Sequence, residues 1–219
     1  MKKLASYLVL FFVVTSLFNS YNVNSQTNSE NTTSEFEILV EYLESNGDFI
    51  NSDLSPAIIS SDEVKKNLKN PKYHIIDTRT ESWFDYGHIK NATNVKSADL
   101  LSYFENTIKP SDFDKIVLTC YSGQAAAYYT GLLRLAGYDN VYNMKWGMSS
   151  WRVDFAENSW LKNIDDSNVD NLEITANVKP EKGAYPVLET GKTEATDILK
   201  VRLEEAFATP YREYIIKSP

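Results

Sequence analysis

The sequence is poor in the residues that form covalent cross-links and metal centres. It holds one cysteine, Cys120, and two histidines, His74 and His88, among 219 residues. A single cysteine excludes an internal disulfide, and one thiol with two imidazoles cannot form a thiolate zinc site. We therefore predict a protein that binds no metal and no other cofactor, and whose packed core must supply its stability.

Positive charge is also scarce in this chain. There are 22 lysines and arginines against 30 aspartates and glutamates, which gives a formal net charge of −8. A protein of this charge repels phosphate backbones and anionic lipid headgroups. Nucleic acid and anionic membranes are therefore not expected as partners.

One long apolar run stands at the amino terminus. The chain begins Met-Lys-Lys, continues with apolar residues over 4–18, and reaches the small-residue sequence Val23-Asn24-Ser25. This pattern predicts a signal peptide over residues 1–25 and export, most simply to the periplasm. The run is shorter than the roughly 20 residues of a membrane span, although an uncleaved anchor is the alternative. Cleavage would change the net charge from −8 to −10 and leave no membrane segment.

The rest of the chain divides into three parts by composition. Residues 26–54 read as a polar tether followed by an amphipathic helix over 35–46. Residues 55–157 alternate between strand and helix patterns, which predicts an α/β domain with a doubly wound parallel sheet. Residues 158–219 form a polar C-terminal extension with one amphipathic helix over 193–207. Within the domain, strands are predicted at 57–59, 73–77, 93–95, 115–119 and 140–143, and helices at 60–68, 81–86, 99–105, 124–136 and 147–155.

Cys120 occupies a special position in that pattern. It follows the apolar strand Lys115–Thr119 and precedes a helix that begins at Gln124. Open α/β sheets bind their substrates at the carboxyl ends of the strands. Cys120 is therefore the candidate catalytic residue.

Three segments together resemble a known family. They are Ile76-Asp77-Thr78-Arg79 with the following Gly87-His88-Ile89, the loop Cys120-Tyr-Ser-Gly-Gln124, and Gly147-Met-Ser-Ser-Trp151. In this order they resemble the rhodanese-like domain of the single-domain sulfurtransferase type, over about residues 55–157. The resemblance implies a five-stranded parallel sheet flanked by helices and a sulfurtransferase.

That resemblance also implies a reaction centred on Cys120. The thiolate takes sulfane sulfur from a donor such as thiosulfate, a persulfide or a polysulfide. The resulting persulfide passes its sulfur to cyanide or to a small thiol. Because no second cysteine can resolve the persulfide within the chain, the acceptor must be external, and a protein thiol is a further candidate.

The loop after Cys120 suits anionic sulfur. Its backbone N–H groups and the helix N-terminus favour a thiolate, and Gly123 can adopt a positive φ angle there. Ser122 offers a hydroxyl donor, and Tyr121 either shapes the pocket mouth or is a plain exposed aromatic residue. The predicted substrate-binding residues are Tyr121, Ser122, Gly123, Gln124 and Ala125.

The loop departs from the family pattern at Ala125, where many members carry an arginine. Without that guanidinium, thiosulfate should bind more weakly. Lys145 and Arg152 are candidate replacement cations in the pocket. Alternatively, the neutral loop favours a less charged donor, such as a persulfide or a polysulfide.

Three other polar residues invite a functional interpretation, and we assign them structural support. Asp77 can accept backbone N–H bonds after its strand, and Arg79 can bridge to Asp85 or to a loop carbonyl. His88 could in principle activate the thiol, but in relatives its Gly-His-Ile segment forms a structural turn. His74 is expected to pack within its strand.

The sequence also allows two alternatives to a sulfurtransferase to be considered. A Cys-x5-Arg phosphatase would need an arginine at the position of Ala126, so the sequence disfavours it. A weakly catalytic or non-catalytic rhodanese-like module would bind a partner or sense reactive sulfur. The missing loop arginine and the long extension favour this second alternative, whereas the presence of Cys120 opposes it.

Overall fold

The computed structural model describes residues 33–215, so the predicted signal peptide lies outside the described residues. The strands are β1 Ile58–Ile59, β2 Tyr73–Asp77, β3 Thr93–Asn94, β4 Lys115–Thr119 and β5 Val141–Met144. The α-helices are α1 Glu35–Ser45, α2 Ser61–Lys66, α3 Glu81–Tyr86, α4 Leu100–Asn106, α5 Gln124–Leu135, α6 Val153–Ser159 and α7 Ala195–Ala208. In the described part of the chain, no helix is long and apolar enough to cross a bilayer.

The five strands form one parallel sheet in the order β1-β5-β4-β2-β3. This confirms the predicted five-stranded parallel sheet flanked by helices, with β1 as an edge strand. The central strand β4 is buried on both faces, and Ile116, Val117 and Leu118 are fully enclosed, as a continuous apolar run predicts. Cys120 directly follows β4 and therefore lies at the middle of the row of carboxyl ends of the strands.

Each face of the sheet has its own apolar cluster. One cluster joins Ile116 and Leu118 of β4 to Tyr129 of α5 and also contains Cys120. Leu203 and Phe207 of α7 complete this cluster, so the C-terminal extension packs directly on the helix that begins beside Cys120. The other cluster includes Val117, Ile75 and Phe155.

The predicted single helix over 147–155 is wrong. The segment forms a short 3-10 helix, Gly147–Ser150, and then α6, with Arg152 extended between them at φ −148°. The backbone N–H groups of Met148 and Ser149 donate to the carbonyls of Cys120 and Tyr121 at 2.8 and 3.0 Å. These bonds to the distant loop replace those that a continuous helix would make.

The sequence Ser60-Ser61-Asp62-Glu63 before α2 has the pattern of a capping box, and only half of that box forms. The Ser60 hydroxyl accepts the Glu63 N–H at 3.1 Å. The Glu63 carboxylate instead accepts bonds from Lys115 Nζ at 2.8 Å and from the Tyr73 hydroxyl at 3.1 Å. These contacts tie α2 to the first residues of β2 and β4.

Candidate functional site

The sulfur of Cys120 lies at the junction of β4 and α5. The Gly123 N–H donates to Sγ at 3.2 Å, and the Ala126 N–H in the first turn of α5 donates at 3.4 Å. Gly123 adopts φ +89°, in the left-handed region, which confirms the positive φ predicted for it. The loop therefore turns its amides toward the sulfur, as anion-binding nests do.

Burial opposes the effect of these amides. Cys120 is only 4 % exposed. Desolvation raises the pKa of its thiol, and the bonds from the Ala126 and Gly123 amides lower the pKa by less than burial raises it. The sequence predicted the amides but not the depth of the sulfur, so the balance favours the thiol more than the loop alone indicates.

This raised pKa predicts a pH profile for Cys120. Because only the thiolate is nucleophilic, the rate of alkylation by iodoacetamide should still be rising at pH 9.0, the ordinary thiol value. Cys120 is the only cysteine, so mass spectrometry of the labelled protein reports this residue alone. A rate that levels off below pH 7 would contradict the described balance of burial and amide bonds.

Two glycines let the segments around the sulfur approach closely. Gly147 has φ +53°, and a Cβ there would lie 2.5 Å from the Cys120 carbonyl oxygen. A Cβ on Gly123 would lie 3.1 Å from the backbone nitrogen of Trp146. The Cys120 loop and the turn after β5 are thus packed backbone against backbone.

Cys120 lines a cavity of about 380 Å³. Four of the five predicted substrate-binding residues line it as well: Tyr121, Ser122, Gln124 and Ala125. The fifth, Gly123, contributes its N–H to the sulfur instead. The predicted loop therefore gathers around one space that is large enough for a small ligand.

The other wall of this cavity comes from the C-terminal extension, to which the sequence assigns no function. The residues concerned are Phe207, Ala208, Pro210, Tyr211, Arg212 and Ile215. No local pattern links this segment to Cys120. The aromatic residues of this segment predict that it packs against the rest of the protein, but they do not predict against which surface.

Tyr121 shapes the cavity and is not a plain exposed aromatic residue. Its hydroxyl oxygen accepts the Thr80 N–H at 3.3 Å and lies 3.2 Å from the Thr80 hydroxyl. Its ring packs edge-on against Trp83 at 5.8 Å between centroids. Thr80 also lines the cavity, so the pair forms a fixed section of its wall.

Asp77 and Arg79 form a buried ion pair next to the chain segment that lines the cavity. Arg79 Nη2 lies 2.7 Å from Asp77 Oδ2 and donates to the Gly87 carbonyl at 2.7 Å, and both side chains are completely buried. The Arg79 N–H also donates to Asp77 Oδ1 at 3.0 Å. The pair therefore fixes the chain between Thr78 and Thr80, which line the cavity; Asp85 is not the partner of Arg79.

The histidines have packing roles. His88 stacks on Phe84 at 3.8 Å between centroids, and its Nδ1 lies 2.8 Å from the Phe84 carbonyl oxygen. His74 lies between Tyr103 and Phe113. Neither histidine lines the Cys120 cavity. Among residues 33–215, no cluster of histidine, cysteine and carboxylate side chains could hold a metal ion.

Comparison with known proteins identifies the domain that carries this site. The model of the family described as "Rhodanese-like domain" matches residues 60–154. Residues 60–154 are a rhodanese-like domain. The match includes Cys120, its loop and the Asp77–Arg79 pair, but it excludes the C-terminal wall of the cavity.

Solved rhodanese-like structures resemble the same part of the chain. A rhodanese-like domain protein from Staphylococcus aureus is 25 % identical over 43 % of this chain and 90 % of its own, with a TM-score of 0.38. A rhodanese-related protein from Thermoplasma volcanium is 22 % identical over 42 % and 87 %, with a TM-score of 0.38. A human single-domain sulfurtransferase is 21 % identical over 44 % and 96 %, with a TM-score of 0.37.

The rhodanese-like domain does not supply a cation to its own cavity. Lys145 lies beside the ring of Trp146, whose other neighbour is Trp160. Arg152 pairs with Asp154 and lies 4.3 Å from the centre of the Phe155 ring. Neither predicted replacement cation lines the cavity, because each is held in an aromatic cluster elsewhere, so this expectation is corrected.

Proposed function

We propose that this rhodanese-like domain is a sulfurtransferase that carries sulfane sulfur on Cys120. The observation that supports this most is the position of Cys120, which lines a cavity of about 380 Å³ and whose Sγ accepts two backbone N–H bonds. Those N–H groups can also stabilise a persulfide anion, in which the charge lies one sulfur further out. The identity of the donor, the identity of the acceptor and the persulfide on Cys120 are all parts of this proposal.

The proposed reaction is balanced without an oxidant or reductant. The Cys120 thiol first loses its proton to solvent, because no carboxylate or imidazole of residues 33–215 lines the cavity. The thiolate attacks the outer sulfur of the donor, whose S–S bond breaks; with thiosulfate, sulfite leaves with the electron pair. Cyanide or a thiolate then attacks the outer sulfur of the persulfide and releases the Cys120 thiolate.

Replacing Cys120 with serine should abolish this transfer. In an assay of thiocyanate formation from thiosulfate or a persulfide donor and cyanide, we expect a loss of at least about a thousandfold, because the persulfide cannot form. The variant should keep the wild-type fold, which its far-UV circular dichroism spectrum checks. Equal rates for the two proteins would contradict the proposal.

A weakly catalytic or non-catalytic module is the second candidate. It is favoured by the raised pKa of the Cys120 thiol and by the neutral side chain at Ala125. Such a module would keep its fold and its cavity, but its rate of thiocyanate formation would equal that of the serine variant or exceed it only slightly. The assay above therefore separates the two functions.

We also propose that the protein acts outside the cytoplasm, most simply in the periplasm. The support is the charged, apolar and small-residue pattern of residues 1–25. Amino-terminal sequencing of the protein from the producing cell would begin at Gln26 after cleavage. A chain that retains Met1 would contradict this part of the proposal.

A further inference from the structure

The C-terminal extension places one cation at the mouth of the Cys120 cavity. Arg212 is the only charged residue that lines the cavity within the described range 33–215. It forms no ion pair with another described residue, and its side chain is exposed. An unpaired guanidinium in a protein of net charge −8 provides a local attraction for an anion.

Aromatic packing holds the segment around Arg212 on α5. The ring of Phe207 stacks on Tyr129 at 5.8 Å, and the rings of Tyr211 and Tyr128 lie 5.4 Å apart. The Tyr211 N–H donates to the Tyr129 hydroxyl at 3.3 Å. Since Tyr129 lies on the helix that begins beside Cys120, these contacts fix the position of Arg212 relative to the sulfur.

Tyr211 lines the cavity together with Cys120. Burial raises the pKa of Tyr211, and negative charge on Cys120 raises it further. The neutral phenol is thus a hydrogen-bond donor near the place where anionic sulfur would bind.

The remaining surface of the cavity is largely apolar. Phe207, Tyr129, Pro210 and Ile215 form the apolar and aromatic part of its lining. A volume of about 380 Å³ also exceeds what a small inorganic anion would fill. The cavity therefore combines one cation, one reactive sulfur and an apolar wall.

We propose that Arg212 is the specificity-determining residue of this site, supplied by the C-terminal extension in place of a cation on the Cys120 loop, and that it selects an anionic organic sulfane-sulfur donor. An organic thiosulfonate has this chemistry. Its sulfonyl oxygens, which share the negative charge with the outer sulfur, face Arg212, and its organic group contacts Phe207 and Ile215. The thiolate attacks the outer sulfur, the S–S bond breaks, and a sulfinate leaves with the electron pair. This donor assignment rests on the proposed sulfurtransferase function.

Alkylation of Cys120 tests Arg212 without requiring sulfur transfer. Iodoacetate and iodoacetamide are similar in size, react by the same displacement of iodide, and differ in charge. The rate constant for iodoacetate divided by that for iodoacetamide should be about five- to tenfold lower in Arg212→Gln than in the wild type, because the anionic reagent loses its partner. Arg212→Lys should restore most of the ratio, since it restores the charge.

A matched control removes the same charge elsewhere on the extension. Arg202 lies on α7, pairs with Glu205 and does not line the cavity, so Arg202→Gln should leave the ratio unchanged. An equal ratio in wild type and Arg212→Gln would overturn the assignment. Failure of both reagents to label any variant would also overturn it, because a cavity closed to iodoacetate is closed to the donor.

Donor kinetics test the substrate class. For the wild type, kcat/KM should be about tenfold higher with benzenethiosulfonate than with thiosulfate, because the phenyl group enters the apolar part of the cavity. Arg212→Gln should raise KM for both anions with little change in kcat. A higher kcat/KM with thiosulfate than with benzenethiosulfonate would overturn the assignment of an organic donor. Absence of transfer from either donor would refute the proposed function, whereas the alkylation ratio would still decide the role of Arg212.

Discussion

Replacing Asp77 with asparagine should lower the free energy of unfolding by about 3–5 kcal/mol, because it leaves the buried Arg79 guanidinium without its carboxylate. Both side chains of the pair are completely buried, and Arg79 Nη2 lies 2.7 Å from Asp77 Oδ2. Arg79 keeps only the Gly87 carbonyl and the Phe155 ring as partners. Chemical denaturation of the variant and the wild type gives the difference directly.

Asp62 provides the matched control for this change. It pairs with Lys65 on the exposed face of α2, and the Asp62→Asn substitution should cost much less, since exposed ion pairs contribute little. Asp77→Asn should also slow sulfur transfer, because the pair fixes the threonines of the cavity wall. Equal stability losses in the two variants would contradict the structural role assigned to Asp77.

Replacing Gly147 with alanine should lower the free energy of unfolding by an amount comparable to that of Asp77→Asn, and it should reduce sulfur transfer more. The left-handed φ of +53° disfavours alanine, and the added Cβ would meet the Cys120 carbonyl oxygen at 2.5 Å. We expect a loss of about 2–4 kcal/mol from these two sources together. Displacement of Cys120 should reduce sulfur transfer at least tenfold, since shifts of about 1 Å at a reacting group can cost about a hundredfold.

Gly137 separates the two sources of that loss. It also has a positive φ, +94°, but a Cβ there meets nothing within 4 Å. Gly137→Ala should therefore show only the conformational cost of about 1–2 kcal/mol and leave alkylation of Cys120 unchanged. If Gly137→Ala and Gly147→Ala lose the same stability and keep the same reactivity, the close packing of the two segments is not as described.

Local sequence patterns predicted most of the rhodanese-like fold. The strands Tyr73–Asp77 and Lys115–Thr119 and the helix Glu81–Tyr86 have the predicted bounds, because a continuous apolar run or a fixed motif defines each of them. The prediction for segment 147–155 is wrong because the N–H groups of Met148 and Ser149 bond to a loop 28 residues earlier in the chain. Such long-range bonds have no local sequence signal.

The site was predictable to the same extent. The Cys120 loop, the positive φ of Gly123 and the supporting role of Asp77 and Arg79 followed from residue types and the family resemblance. The depth of the sulfur and the position of Arg212 did not follow, because both depend on α7 packing against α5. The extension lies outside the family match, so the resemblance could not assign it either.

The most direct test of the account is the mass of the intact protein after incubation with benzenethiosulfonate. We predict a gain of one sulfur atom on Cys120, its removal on addition of cyanide, and no gain in Cys120→Ser. A wild-type protein that reacts with iodoacetamide at Cys120 yet never gains sulfur would contradict the account, since the thiol would then be accessible but would not carry sulfur.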